Sequence, residues 1–341
     1  MYASPAVAGD LLYLGSCSGR IYALDKTTGE EVWTHDTDGD SFHGDPLITD
    51  SLVIMPSDDR SYDNSVASIY AFERSGGRLI WQYDFTERTG LGTGATTDLV
   101  RHSNTVIAVT TADRLVCLDI ETGALLWDYQ SDYDPGERYW TSTPAVVDSA
   151  VIFGSLDGHV RSLHVRTGDV LWEATLTDRV TTSILAVGDL VYCGCADGTL
   201  TTLDVRTGRI VAQPRLEGSP IRAMLRVQVG DDTLVACVLQ ALHDESMGGY
   251  SLVAVHPADG DIRWYVDAEP DAPWSIKQAY EYQGYILAGR SDGVVRLLDP
   301  GSGEVVVSFR LGGEIRSVGV DGDMLYIGTI EGTVYGVSVS H

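Results

Sequence analysis

The sequence predicts an all-β protein, an eight-bladed β-propeller of four-stranded antiparallel blades whose last blade is incomplete. Three observations carry this expectation. First, a phrase recurs with a period of roughly 40–50 residues, the repeat length of a radial stack of small sheets. Ala23-Leu24-Asp25-Lys26-Thr27-Thr28-Gly29-Glu30-Glu31-Val32-Trp33 returns as Cys117-Leu118-Asp119…Thr122-Gly123…Trp127 and as Leu163-His164…Thr167-Gly168…Trp172. Fainter copies end at Trp81 and Trp264, and Leu203-Asp204…Thr207-Gly208 and Leu298-Asp299…Ser302-Gly303 lack the Trp. Second, the stretches between copies are short apolar or alternating runs bounded by Gly and Asp turns, the pattern of strands. Third, the turn that opens each third strand appears eight times, at Gly19, near Ser68, at Asp113, Gly158 and Gly198, near Tyr250, and at Gly293 and Gly332.

The first repeat shows how each blade parses. Ser4–Val7 begins an inner strand, and Gly9-Asp10 turns the chain into Leu11–Gly15. Gly19 turns it again into Arg20–Leu24. Thr28-Gly29 makes the last turn, with the Gly suited to positive φ, before the outer strand Glu31–His35 that carries Trp33. A Trp at this fixed distance covers the neighbouring blade with a large apolar face while its indole N–H seeks a polar partner. Blades two to seven repeat the order. The eighth, Leu325-Tyr326-Ile327-Gly328…Glu331-Gly332-Thr333-Val334-Tyr335-Gly336, reaches His341 before any outer strand, leaving an edge to manage. Residues 1–341 are therefore expected to form one propeller domain.

Composition narrows the partners. The chain has 49 Asp and Glu against 23 Lys and Arg, a formal charge of −26, and its only lysines are Lys26 and Lys277. Phosphate binding needs clustered cations, so nucleic acid and an anionic membrane surface are excluded as partners. An acidic, Lys-poor surface is the mark of a halophile or a high-GC genome. The cysteines, Cys17, Cys117, Cys193, Cys195 and Cys237, are odd in number and scattered through strand-like segments, which reads as buried reduced thiols. Cys193-Gly194-Cys195 offers two metal ligands with no His or further Cys beside them. Asp58-Asp59…Asp63-Asn64 offers oxygens for Ca²⁺ but lacks the Gly and terminal Glu of a calcium loop, and reads as a solvated insertion. No apolar run approaches ~18 residues, and Met1-Tyr2-Ala3-Ser4-Pro5 runs into the first repeat with no signal peptide. The expectation is a cytoplasmic protein without membrane insertion, metal or cofactor.

The A-x-D-x-x-T-G-x-x-x-W phrase at 23–33 resembles the tryptophan-docking repeat of pyrroloquinoline-quinone-type propellers, and the resemblance covers nearly the whole chain. That family includes quinoprotein alcohol dehydrogenases, the outer-membrane assembly lipoprotein of the β-barrel machinery, and sensor domains of bacterial Ser/Thr kinases. The resemblance implies the propeller fold and, for a short member, a scaffold or sensor role. It does not extend to the quinone site. Quinoproteins hold the cofactor beneath an adjacent Cys–Cys pair with acidic and Asn ligands for Ca²⁺, whereas Gly194 here separates Cys193 from Cys195.

Function is sought where the copies disagree. In a four-stranded blade the loops joining strands two and three share a face with the interblade connections. These are the loops the chain lengthens, at Ser57–Asn64, Gln240–Met247, Thr86–Gly94, Ser131–Tyr139 and Glu269–Trp274. Insertions gathered on one face mark a binding face. On the innermost strands, the position of Ser4, Thr143 and Ser183 becomes Arg222, Lys277 and Arg316 in three consecutive blades. Arg suits carboxylate or phosphate recognition, and Lys adds a point charge. Asp45 and Glu314 are placed to balance these cations, Phe42, Trp140 and Trp274 to form aromatic walls, and His43 to carry a proton. The resulting reading is a binding module with a channel-mouth pocket for a small anionic ligand, or a loop-rich face for a protein partner. The alternative is an enzyme performing acid–base, lyase or cyclisation chemistry on an anionic small molecule in the same pocket. A third possibility, salt links internal to the inner strands, needs no ligand.

Overall fold

A computed structural model of the protein describes residues 3–37, 40–58, 67–85, 94–133, 142–216, 220–240, 250–266, 279–290 and 292–339. Every regular element among these residues is a strand, and the strands form the eight blades of a β-propeller. Seven sheets have four strands hydrogen-bonded in sequence order, and the last has three, as the truncated final repeat predicts. Blade 1 comprises Ala6–Ala8, Leu11–Gly15, Arg20–Asp25 and Glu31–Asp36. Blade 8 comprises Ile315–Asp321, Met324–Thr329 and Val334–Ser338. The chain divides into two compact units. One holds Met1–Thr143, Val165–Gly168 and Ser317–His341, the other Pro144–His164 and Asp169–Arg316.

The recurring phrase builds one turn and one contact. In blade 1, Asp25 Oδ1 accepts from the amides of Thr27 and Thr28 and from the Thr28 hydroxyl. Asp119, Asp204 and Asp299 cap the same turn in their own blades. A short acidic side chain that satisfies two backbone donors closes this turn without help from the core. The following Gly then sits under the preceding blade's Trp. Gly77, Gly123, Gly168, Gly208 and Gly303 have φ between +68° and +75°, and a Cβ on any of them would lie 2.4–2.8 Å from an indole atom. The same five indoles donate to backbone carbonyls of the next blade, at Arg74, Ile120, Val165, Val205 and Pro300, over 2.8–3.0 Å. Blade 5 lacks the Trp, and Pro214 takes its place against Gly260.

Each four-stranded blade has a register shift between its third and fourth strands at the same place, from Ala23/Leu24 in blade 1 to Leu297/Leu298 in blade 7. A bulge at a fixed point adds twist, which a blade in a radial stack requires. Core clusters lie between neighbouring blades. Trp33, Phe42, Met55 and Phe72 pack blades 1 and 2 together, and Ile54, Trp81, Val106 and Leu118 pack blades 2 and 3. Blade 8 packs on blade 1 through Tyr326 against Leu12 and Leu14, reinforced by Lys26 Nζ to Asp321 Oδ2 at 2.8 Å.

Candidate functional site

His43 lies between Ser41, which bridges to Asp58, and blade 2, whose strands are Leu47–Ile48, Leu52–Pro56, Ser68–Glu73 and Leu79–Asp84. Its side chain is 2% exposed. Nδ1 stands 2.7 Å from Asp58 Oδ1, and Nε2 stands 3.8 Å from Cys17 Sγ. Burial disfavours the charged ring, but the hydrogen bonds to Asp58 and Cys17 outweigh it and raise the His43 pKa above its ordinary value. The trio is pinned through the backbone. Ser41 and Asp58 exchange both backbone hydrogen bonds, the Ser41 hydroxyl donates to the Cys17 carbonyl, and the Phe42 amide donates to the Ser16 carbonyl. Gly94, with φ +142°, comes so close that a Cβ would lie 2.5 Å from the Asp58 Cα. Beside the trio, Asp40 accepts from Ser57 and from the Tyr70 hydroxyl, and burial together with Asp40 pushes the Tyr70 pKa well above its ordinary value.

Two of these partners escape a sequence reading. Asp58 looks like the start of a solvated acidic insertion, yet it is 6% exposed and holds the histidine. Cys17 looks like one more buried strand cysteine, yet it lies in the turn after Leu11–Gly15 and is half-buried. The other four cysteines are buried; burial alone pushes Cys237 up to about 12, and burial with Asp197 nearby does the same for Cys195.

The remaining candidates separate. Phe42 is fully buried among Tyr13, Met55 and Tyr70, so it is core and offers no wall to a ligand. Its place in sequence, beside His43 at an insertion, hid that role. Asp45 accepts from the Ser4 amide at 2.5 Å, and its own amide donates to Asp98 at 2.9 Å; the Asp98 amide donates in turn to Thr143. Equivalent positions of successive blades are thus stapled in a row. Burial and the Asp98 charge raise the Asp45 carboxyl to about 8, and burial raises Asp98 as well. Arg316, half-buried, pairs with Glu314 at 2.5 Å. Arg222 is exposed, at a bulge in Ile221–Val229, the first strand of blade 6. Lys277, Trp140 and Trp274, and the insertions at 59–66, 86–93, 241–249 and 267–278, lie outside the described residues.

A family model described as outer membrane protein assembly factor BamB matches residues 2–211 and 249–341. The chain belongs to this family. Among curated relatives, the Yersinia pestis outer membrane protein assembly factor BamB is 24% identical over 97% of this chain and 83% of its own length. The Pseudomonas aeruginosa protein of the same name is 26% identical over 55% of this chain and 48% of its own, so the chain spans about half the length of that relative. The crystal structure of BamB from Moraxella catarrhalis superposes with a TM-score of 0.77 at 19% identity, covering 99% of this chain and 96% of that one, which shows the shared fold. These relatives correct the expectation of a cytoplasmic protein, since those matched along the chain are named for the outer membrane. The physical reason for the error is that the repeat encodes packing, not address. Cysteines sealed in strands are likewise insulated from the redox state of their compartment, so their reduced state does not report it.

Proposed function

We propose that the chain is a noncatalytic binding module that holds a protein partner on the face bearing the strand-two-to-three loops and interblade connections. Membership in the assembly-factor family carries this reading. By that kinship the partner belongs to the assembly of outer membrane proteins. Within the face, we assign Arg222, Lys277 and Arg316 to an anionic group, either an acidic segment of the partner or a small anion. Arg222 supports the assignment because it is an exposed cation on a chain of net charge −26, where positive positions are scarce. The Arg316–Glu314 pair supports it because a prepaired guanidinium is already oriented when an incoming carboxylate competes for it.

Complementation tests the reading. The chain, exported to the periplasm of a bacterium deleted for its own assembly factor, is expected to restore the level of folded outer membrane proteins. Arg222→Glu with Arg316→Glu is expected to abolish the rescue at equal protein level. No rescue by the parent chain contradicts the proposed role. Rescue undiminished by the double variant removes the two arginines from the contact.

A further inference from the structure

Cys17, His43 and Asp58 stand in line. Asp58 binds Nδ1 and Cys17 faces Nε2, over 2.7 and 3.8 Å. Three groups surrounding a common point would suit a metal ion; three in a row suit a proton relay. With the carboxylate on Nδ1–H, the neutral imidazole presents the lone pair of Nε2 to the thiol. We propose that Cys17 is a reactive nucleophile, activated by His43 and oriented by Asp58, whose substrates are disulfides of low molecular weight.

The step balances without a further reagent. The Cys17 proton passes to His43 Nε2, giving a thiolate–imidazolium pair steadied by the Asp58 carboxylate. The thiolate attacks one sulfur of RS–SR, the Cys17–S bond forms, and the S–S bond breaks. The leaving RS⁻ takes the proton from Nε2. The outcome is Cys17–S–SR and RSH: the thiolate's electron pair makes the new S–S bond, the pair of the broken S–S bond leaves on RS⁻, and one disulfide replaces another.

Location supports this chemistry on three counts. Among the cysteines, only Cys17 is not buried, so a disulfide can reach it while the other thiols are sealed in strands. The histidine is buried, so water does not compete for Nε2. The turn that carries Cys17 is tied to the His43 segment by Ser41 and Phe42, so the alignment is preorganised rather than dependent on a ligand. Among the described residues, Asp58 and Cys17 are titratable groups that face His43, while neighbouring Asp40 is engaged by Ser57 and Tyr70. The inference needs no partner, although Cys17 lies in a strand-two-to-three turn and so on the face to which the protein-binding role is assigned; its test reads the isolated chain and so stands or falls apart from that role.

The test uses the full chain, reduced and then exposed to oxidised glutathione or iodoacetamide between pH 5 and 9, with peptide mass spectrometry locating the adduct. The expected result is modification at Cys17 alone, with a rate midpoint well below the ~8.5 of a free cysteine thiol. Asp58→Asn is expected to move that midpoint back toward ~8.5, and His43→Gln to remove the low-pH rate entirely. Should His43→Gln not fold, the parent profile and Asp58→Asn still decide. A parent midpoint at or above ~8.5, a profile unmoved by Asp58→Asn, or labelling spread over several cysteines overturns the proposal.

Discussion

At the residue scale, the recurring phrase divides its labour cleanly. Asp25 and its equivalents cap a turn, the Thr hydroxyl closes it, and the Gly admits the neighbouring Trp. Gly123→Ala therefore incurs two penalties, a left-handed φ of about 1–2 kcal/mol and overpacking against Trp81 of roughly 1–3 kcal/mol. Gly29→Ala incurs only the first, because no atom lies within 4 Å of the added Cβ. Among the described residues blade 8, which packs on blade 1, has three strands, and none of them brings a Trp to Gly29. Chemical denaturation of the two variants is expected to show the larger loss for Gly123→Ala. This much was legible in the sequence, since Thr122-Gly123 and Trp81 are spelled out by the period. The trio at His43 was not. Its members come from the turn at Cys17, the stretch before blade 2 and the start of an insertion at Asp58, and nothing periodic links them. Gly94 holds Asp58 in place by sheer proximity, which no spacing rule reveals.

At the element scale, the inner strands prove to be joined end to end by Ser4, Asp45, Asp98 and Thr143. In sequence Ser4 and Thr143 share an inner-strand position, but nothing there links them to Asp45 and Asp98 or predicts that a partly buried carboxyl in one blade hydrogen-bonds an amide of the next. Asp45 reads in sequence as a nearby counter-charge to the inner-strand cations, whereas the fold makes it a staple with a pKa raised to about 8. The consequence for stability has a definite sign. The folded state retains protons that the unfolded chain, with Asp near 3.9, has released. Between about pH 4 and 8 the unfolded state therefore binds fewer protons, and stability falls as pH rises. The capped aspartates, Asp25, Asp119 and Asp204, have lowered values and act in the opposite direction, losing their contribution only as pH drops below the usual carboxylate range. Asp98→Asn removes the repulsion on Asp45, so the decline in Tm between pH 5 and 8 is expected to flatten relative to the parent. An identical slope in the variant would place the proton elsewhere.

At the scale of the whole molecule, the count of eight blades and the three-stranded last one were both readable, because a propeller's period and its closing deficit are properties of sequence length and turn spacing. Blade 5 shows how the fold absorbs a lapse, with Pro214 covering Gly260 where the Trp is missing. Compartment was not readable, because the residues that make blades carry no address. On the proposed reading, partner choice is set by loops that depart from the repeat. The central claim is that one face of the propeller holds a protein partner, and site-specific photo-crosslinking tests it most directly. A photoreactive side chain is placed at exposed Ser18 or Asp178, in a strand-two-to-three turn and an interblade connection, and in parallel at exposed Glu121 or Arg166, in the opposite turns. Crosslinks to an outer membrane assembly protein from Ser18 and Asp178, with none from Glu121 and Arg166, are the expected result; crosslinks confined to Glu121 and Arg166 would contradict it.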